Sequence, residues 1–118
     1  MNRKELRLKV LNKYNGHCAY CGCEITLADM QIDHIIHRKS FEDKKQAVDD
    51  SIDNYNPSCR LCNHYKRAES IEVFRDWSLG GVIDRLKKIY IFRVALKYHM
   101  IEIKGWNHKF YFEQFKNK

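Results

Sequence analysis

Two Cys-x-x-Cys pairs constrain this chain more than any other feature: Cys18 with Cys21, and Cys59 with Cys62. Each pair can offer two sulfurs from one tight turn, and two such pairs make a tetrahedral four-thiolate site suited to Zn2+. Disulfides are the competing use of five cysteines. The chain opens MNRKELRLKV, however, which is charged and amphipathic and lacks a signal-peptide pattern, and a reducing compartment disfavours structural disulfides. Cys23 is left over, either as a bystander or as a competitor of Cys21 within CAYCGC. Gly22 favours the bystander role, since glycine permits the φ > 0 turn that lets backbone N–H groups face the thiolates.

A plain zinc ribbon separates its pairs by about 15–20 residues. Here residues 22–58 lie between them, 37 in all, so the insert must be folded onto the metal framework. It contains MQIDHIIHRKS, a run fit for a strand over about 30–36 that nevertheless carries Asp33 and His34 side by side. A lone Asp-His pair on an apolar strand is usually structural. These two stand in a sequence that also supplies Asn54, and Asn63, His64 and Lys66 directly after the second cysteine pair.

The flanking pattern predicts an α+β chain of one domain, a size compatible with a modest core. Residues 2–15 read as a helix with Asn2 as N-cap, Glu5 three residues on and Gly16 as stop. Leu6, Val10 and Tyr14 share one face, broadened by Leu8 and Leu11. A short strand is expected near 24–26, a polar loop with a helical turn over 38–53, and an extended piece at 54–58, where Pro57 pushes Asn56 from helical angles. Helices follow over about 61–69, then from a Ser70 cap to Gly80–Gly81, then over 82–99. The alternating tail IEIKGWNHKFYFEQF predicts a hairpin or terminal strand. Trp77, Trp106, Phe110 and Phe112 are expected in the core, and His17, His99 and His108 as structural residues.

Charge narrows the partners. Residues 1–59 hold 9 Lys/Arg and 9 Asp/Glu, whereas residues 60–118 hold 13 and 6, so the second part carries the whole net charge of +7. Such a basic half suits an acidic partner, nucleic acid being the commonest. No run is long and apolar enough for a membrane span, and an intracellular soluble protein is the expectation.

The ordered set CAYCG, QIDHII and DNYNPSCRLCNHYK resembles the HNH endonucleases, in the subset built on a ββα-metal (His-Me finger) core with a four-cysteine zinc. The resemblance covers residues 18 to about 67; over 68–118 it is only a general likeness to short phage-type members. It implies an N-terminal helix over 1–17, a ββα-metal core over 18–67 and a helical extension over 68–118. His34 would be the general base that activates water, a free histidine titrating at about 6.5 and so offering a neutral ring at pH 7. Asp33 would be a hard oxygen ligand for Mg2+ or Mn2+. Asn54 would hold the strand–loop geometry or fix the His34 ring. Asn63 stands at the place of the family's final histidine and would offer its carbonyl oxygen to the same ion, which makes an HNN variant; His64 is its alternative. His37 stands where the family often has proline, as a phosphate contact or a solvated loop residue. Arg38, Lys39, Arg60, Lys66 and Arg67 would grip phosphates, positioning DNA without reading its sequence.

Together these imply a zinc-stapled, divalent-metal-dependent endonuclease that nicks DNA, a double-strand cut needing either a homodimer or two independent events. The cytoplasm of a bacterial or phage-infected cell is the implied setting, and phage DNA processing or restriction-like cleavage the implied role. The alternatives are a zinc-ribbon DNA-binding module without catalysis and a zinc-stabilised protein-interaction module. A regular strand would send Asp33 and His34 to opposite faces, so the strand is expected to end or bulge at this point.

Overall fold

The structure, a computed structural model, describes residues 1–115. Helix α1 (Arg3–Asn12) starts where expected, with the Asn2 carboxamide accepting the Glu5 N–H at 2.8 Å. Its Val10 is fully buried, but Leu8 is exposed, so the apolar face is narrower than the sequence suggests. The chain reverses through Asn15 and Gly16, both at positive φ, and the expected strand near 24–26 reduces to one antiparallel bridge, His17 with Glu24.

Strands β1 (Gln31–His34) and β2 (Tyr55–Ser58) pair antiparallel, Asp33 opposite Asn56 and His34 opposite Tyr55. Between them lie helix α2 (Arg38–Asp43) and a single 3₁₀ turn over Ile52–Asn54. All four residues of β2 are buried. Pro57 is tolerated there because its backbone points away from β1, and its carbonyl accepts from Ala19 N–H at 2.8 Å on the outer edge. Helix α3 (Arg60–Lys66) follows, its first turn capped by the Cys59 sulfur.

Ser70 caps α4 (Ile71–Val73), which widens into a π-helical segment over Phe74–Leu79. The predicted helix over 82–99 is two: α5 (Val82–Lys87) and α6 (Tyr90–Lys97). Ile89 between them is extended (φ −90°, ψ 122°), and the break lets the two helices pack on each other. The expected terminal strand or hairpin does not form among the described residues. The tail runs irregularly to a short helix, α7 (Tyr111–Gln114), whose first two N–H groups donate to the carbonyls of Tyr20 and Ala19. Its alternating aromatics are spent on stacking: Phe110 lies against Phe74 at 5.3 Å and against Phe112 at 5.8 Å between ring centroids.

The buried apolar residues form two small cores. One gathers Cys18, Ala19, Tyr20, Cys62, Phe74 and Phe110; the other gathers Val10, Met30 and Tyr55, with Leu6, Ile25 and Ile32 packed around them. Trp106 lies tilted against Phe110 at 5.3 Å but is 37% exposed and lies outside both cores, contrary to expectation. Trp77 is 75% exposed and belongs to neither core. Among the described residues no helix is long and apolar enough to cross a membrane. Phe74 touches the rings of Tyr20, Tyr65 and Phe110, so Phe74→Ala should lower the unfolding free energy by about 3–5 kcal/mol, measured by urea denaturation.

Candidate active site

The four paired cysteines converge as expected. Their sulfurs lie within 4.8 Å of one another, and Cys21 Sγ is 3.8 Å from Cys59 Sγ. A tetrahedron with Zn–S bonds of about 2.3 Å has edges of about 3.8 Å, so the Cys21–Cys59 edge already has that length and the cluster as a whole has the size the ion requires. The local turns explain the convergence. Gly22 sits at φ +81° and donates its N–H to Cys18 O at 3.0 Å, closing the first turn. A Cβ at Gly22 would come within 2.6 Å of the Tyr111 ring. Cys59, as N-cap of α3, accepts the Cys62 N–H at 3.4 Å.

Electrostatics supports the same assignment. A hydrogen bond from Cys62 holds the Cys18 thiol down to about 4, and that bond, with burial, pushes Cys62 up. Burial also raises Cys21. Without a cation the cluster therefore favours one thiolate, and a central dication is what would let the others ionise. Cys23 lies outside the four, exposed, with its thiol pushed up to about 12 chiefly by desolvation. Its carbonyl accepts the Cys18 N–H at 2.8 Å, so its backbone closes the knuckle.

Asp33 and His34 leave β1 on opposite sides, and β1 ends at His34, as the alternation required. Asp33 points inward and is 4% exposed. Its Oδ2 accepts from the Tyr20 hydroxyl, and Lys66 Nζ lies 3.3 Å from Oδ1 and 3.1 Å from Oδ2. Asn56, opposite Asp33 in the sheet, donates from Nδ2 to the Tyr20 hydroxyl at 3.3 Å, while its buried Oδ1 has no partner among the described residues. Burial pushes the Asp33 carboxyl above its usual range, against the opposing pull of Tyr20 and then Lys66. The Tyr20 hydroxyl is raised too, first by burial and then by the Asp33 charge.

His34 is half-buried, its ring edge-on to Tyr55 at 4.8 Å. The segment after it is fixed by Asn54, a buried side chain. Asn54 Oδ1 accepts from Ile36 N–H at 2.8 Å, and its Nδ2 donates to Ile36 O and to Asp49 O at 3.0 Å each. Of the two roles implied for Asn54, this geometry holds the strand–loop turn; none of its hydrogen bonds reaches the His34 ring. Asn63 is half-buried on α3, one turn before Lys66 and so on the same helix face. His64 is exposed and lines a separate surface cleft with Arg67, Glu69 and Val73.

The basic residues divide. Arg38, Lys39, Arg60 and Arg67 are exposed, with Arg38 in a surface pair with Asp50 at 3.4 Å. Lys66 is a correction: it has no exposed surface, because its side chain runs inward to Asp33 and to the His34 carbonyl at 3.4 Å. As it stands it grips no phosphate. His37 is also more than a loop residue, since its Nδ1 caps α2 by accepting Lys39 N–H at 3.2 Å. Sequence reasoning missed Tyr20 and Asn56. Tyr20 is a spacer inside the first Cys-x-x-Cys, and Asn56 could have been found as a polar residue in a strand otherwise destined for burial.

In donor type, Asp33 and Asn63 suit a hard divalent ion. In availability they differ from an open site, since both Asp33 oxygens are already engaged. Among the described residues the four cysteines are the only group of three or more His, Cys, Asp or Glu side chains placed to hold a metal.

Comparison with known proteins places this geometry. Residues 18–69 match the family described as HNH endonuclease. Among solved structures the chain is similar to the Type II-C Cas9 enzyme from Actinomyces naeslundii, at 24% identity and a TM-score of 0.53. That likeness, one of fold, covers 63% of this chain and 8% of the Cas9 chain, so this chain spans a small fraction of the enzyme's length. No curated protein matches the sequence significantly. If the four cysteines hold the metal that staples this core, Cys59→Ser should abolish near-stoichiometric zinc and the cooperative fold together, as measured by metal analysis and circular dichroism.

Proposed function

Taking residues 18–69 as an HNH endonuclease domain, we propose that the chain is a divalent-metal-dependent nuclease that hydrolyses phosphodiester bonds in DNA. One observation carries the reading: His34 stands at the end of β1 with its following loop clamped by Asn54, and is next in sequence to Asp33, whose carboxylate is buried. A nuclease needs a base and a metal ligand close together in a fixed relation, and a DNA-binding ribbon needs neither.

In this proposal His34 takes a proton from the attacking water, a role for which histidine suits neutral pH. Its ring is half-buried and rests edge-on against Tyr55. Asn54 acts at one remove by fixing the main chain of Ile36, which sets the direction in which His34 projects. Asp33 and Asn63 would hold Mg2+ or Mn2+, which would neutralise charge developing on the phosphate and the leaving 3′ oxygen. Zn2+ on Cys18, Cys21, Cys59 and Cys62 is structural, joining the first turn to the start of α3. Arg38, Lys39, Arg60 and Arg67 supply exposed charge for the phosphate backbone. One such centre cuts one strand per visit, and a homodimer would supply the second cut.

Supercoiled plasmid with Mg2+ or Mn2+ should convert to the nicked form, and His34→Ala should slow this by about 10²–10⁴-fold. A wild-type protein that binds the plasmid but leaves it intact with every divalent ion would instead establish the non-catalytic ribbon. Alanine at Arg38, Lys39, Arg60 or Arg67 should each lower the slope of log affinity against log salt by about 1 where the side chain meets a phosphate, read by fluorescence anisotropy with duplex DNA.

A further inference from the structure

We propose that Lys66 is a resident counter-cation for Asp33: its ammonium holds the carboxylate while no divalent ion is bound, and it must swing off that carboxylate when an ion takes its place. This rests on the reading of Asp33 as the divalent ligand.

Three observations lead here. First, Lys66 has no exposed surface, yet it lies on a helix whose neighbouring Tyr65 and Arg67 are exposed. A lysine is drawn fully inside only by a partner that needs its charge. That partner is a carboxylate 4% exposed, approached on both oxygens at 3.1 and 3.3 Å. Second, the other donor to Asp33 is neutral. The Tyr20 hydroxyl, backed by Asn56 Nδ2 at 3.3 Å, can keep its bond whichever cation sits on the remaining lone pairs. The site is thus built with one fixed donor and one exchangeable cation. Third, Lys66 Nζ already engages both Asp33 oxygens, so a divalent ion arriving at that carboxylate competes with the ammonium for the same atoms, and the repulsion between the two cations favours their separation. Lys66 sits in the last turn of α3, ahead of Arg67 at φ +56°. Its unbranched stem can therefore turn outward without disturbing the zinc ligands at the helix start.

The same movement would break the contact between Nζ and the His34 carbonyl. Arrival of the ion is thereby coupled to the main chain of the residue proposed as base. An ammonium stored in the core also becomes an exposed charge at the moment the site is loaded.

The test uses the intact zinc-loaded protein and Mn2+, whose binding is followed by electron paramagnetic resonance. Lysines are acylated with an N-hydroxysuccinimide ester and the modified peptides quantified by mass spectrometry. Lys66 should be protected without Mn2+ and at least about tenfold more reactive with the site filled, while exposed Lys39 reacts alike in both. In Lys66→Met, where no ammonium competes, Mn2+ should bind about tenfold tighter; should that variant not fold, the labelling of the wild type decides alone. Mn2+ bound with Lys66 still fully protected overturns this inference and leaves the nuclease reading standing. No Mn2+ bound under conditions where the plasmid is also left uncut overturns both.

Discussion

The architecture hangs on bringing two sequence-distant turns, 18–21 and 59–62, to a common point. Everything between them is a closed loop anchored at both ends by sulfur. That loop contains both strands, so the register that sets Asp33 against Asn56 and His34 against Tyr55 is established within a frame of fixed ends. Neither apolar core is large. Only one of them includes strand residues, Tyr55 and Ile32, and two strands with so little apolar support are marginal in water. A metal held by the four clustered cysteines would supply the rigidity that this amount of burial does not.

Within that frame the two faces of β1 are given opposite environments. The inward face meets α3 and carries a buried carboxylate, a lysine, a tyrosine hydroxyl and an amide in one connected group. The outward side ends in an imidazole resting on an aromatic edge. Two side chains adjacent in sequence are thus held at different depths, one shielded from water and one partly in reach of it. Ending the strand at His34 lets the chain reconcile its alternation with the need for both groups at one locality, and the Asn54 clamp keeps the exit from that strand from drifting.

The legible parts of the sequence were those governed by local chemistry. Asn2 and Ser70 cap helices because their side chains bond backbone three residues on, and the cysteine pairs form knuckles through bonds confined to a few residues. What escaped was decided by neighbours far along the chain. Lys66 has the look of a surface cation until β1 is packed beneath α3. Leu8 and Trp77 fit an apolar periodicity that no partner element covers. The tail alternates like a strand, but Phe110 and Phe112 are claimed by the aromatic stack, and the backbone there bonds to residues 19–20 instead of to another strand. The 82–99 segment breaks at Ile89, whose extended backbone ends the first helix before the second begins.

That tail has a bearing on the order of assembly. Tyr111 and Phe112 bond to Tyr20 and Ala19, and Phe110 shields the Tyr20 ring, so material from late in the chain seals a turn made near its beginning. During synthesis the first knuckle emerges with Cys18 and Cys21 ready to capture a metal, long before its aromatic cover exists. A metal bound there would load while the turn is open to solvent, and the later closing of Phe110 over Tyr20 would make its departure slower than its entry. A site assembled in this sequence is kinetically biased towards retention, whatever its equilibrium affinity.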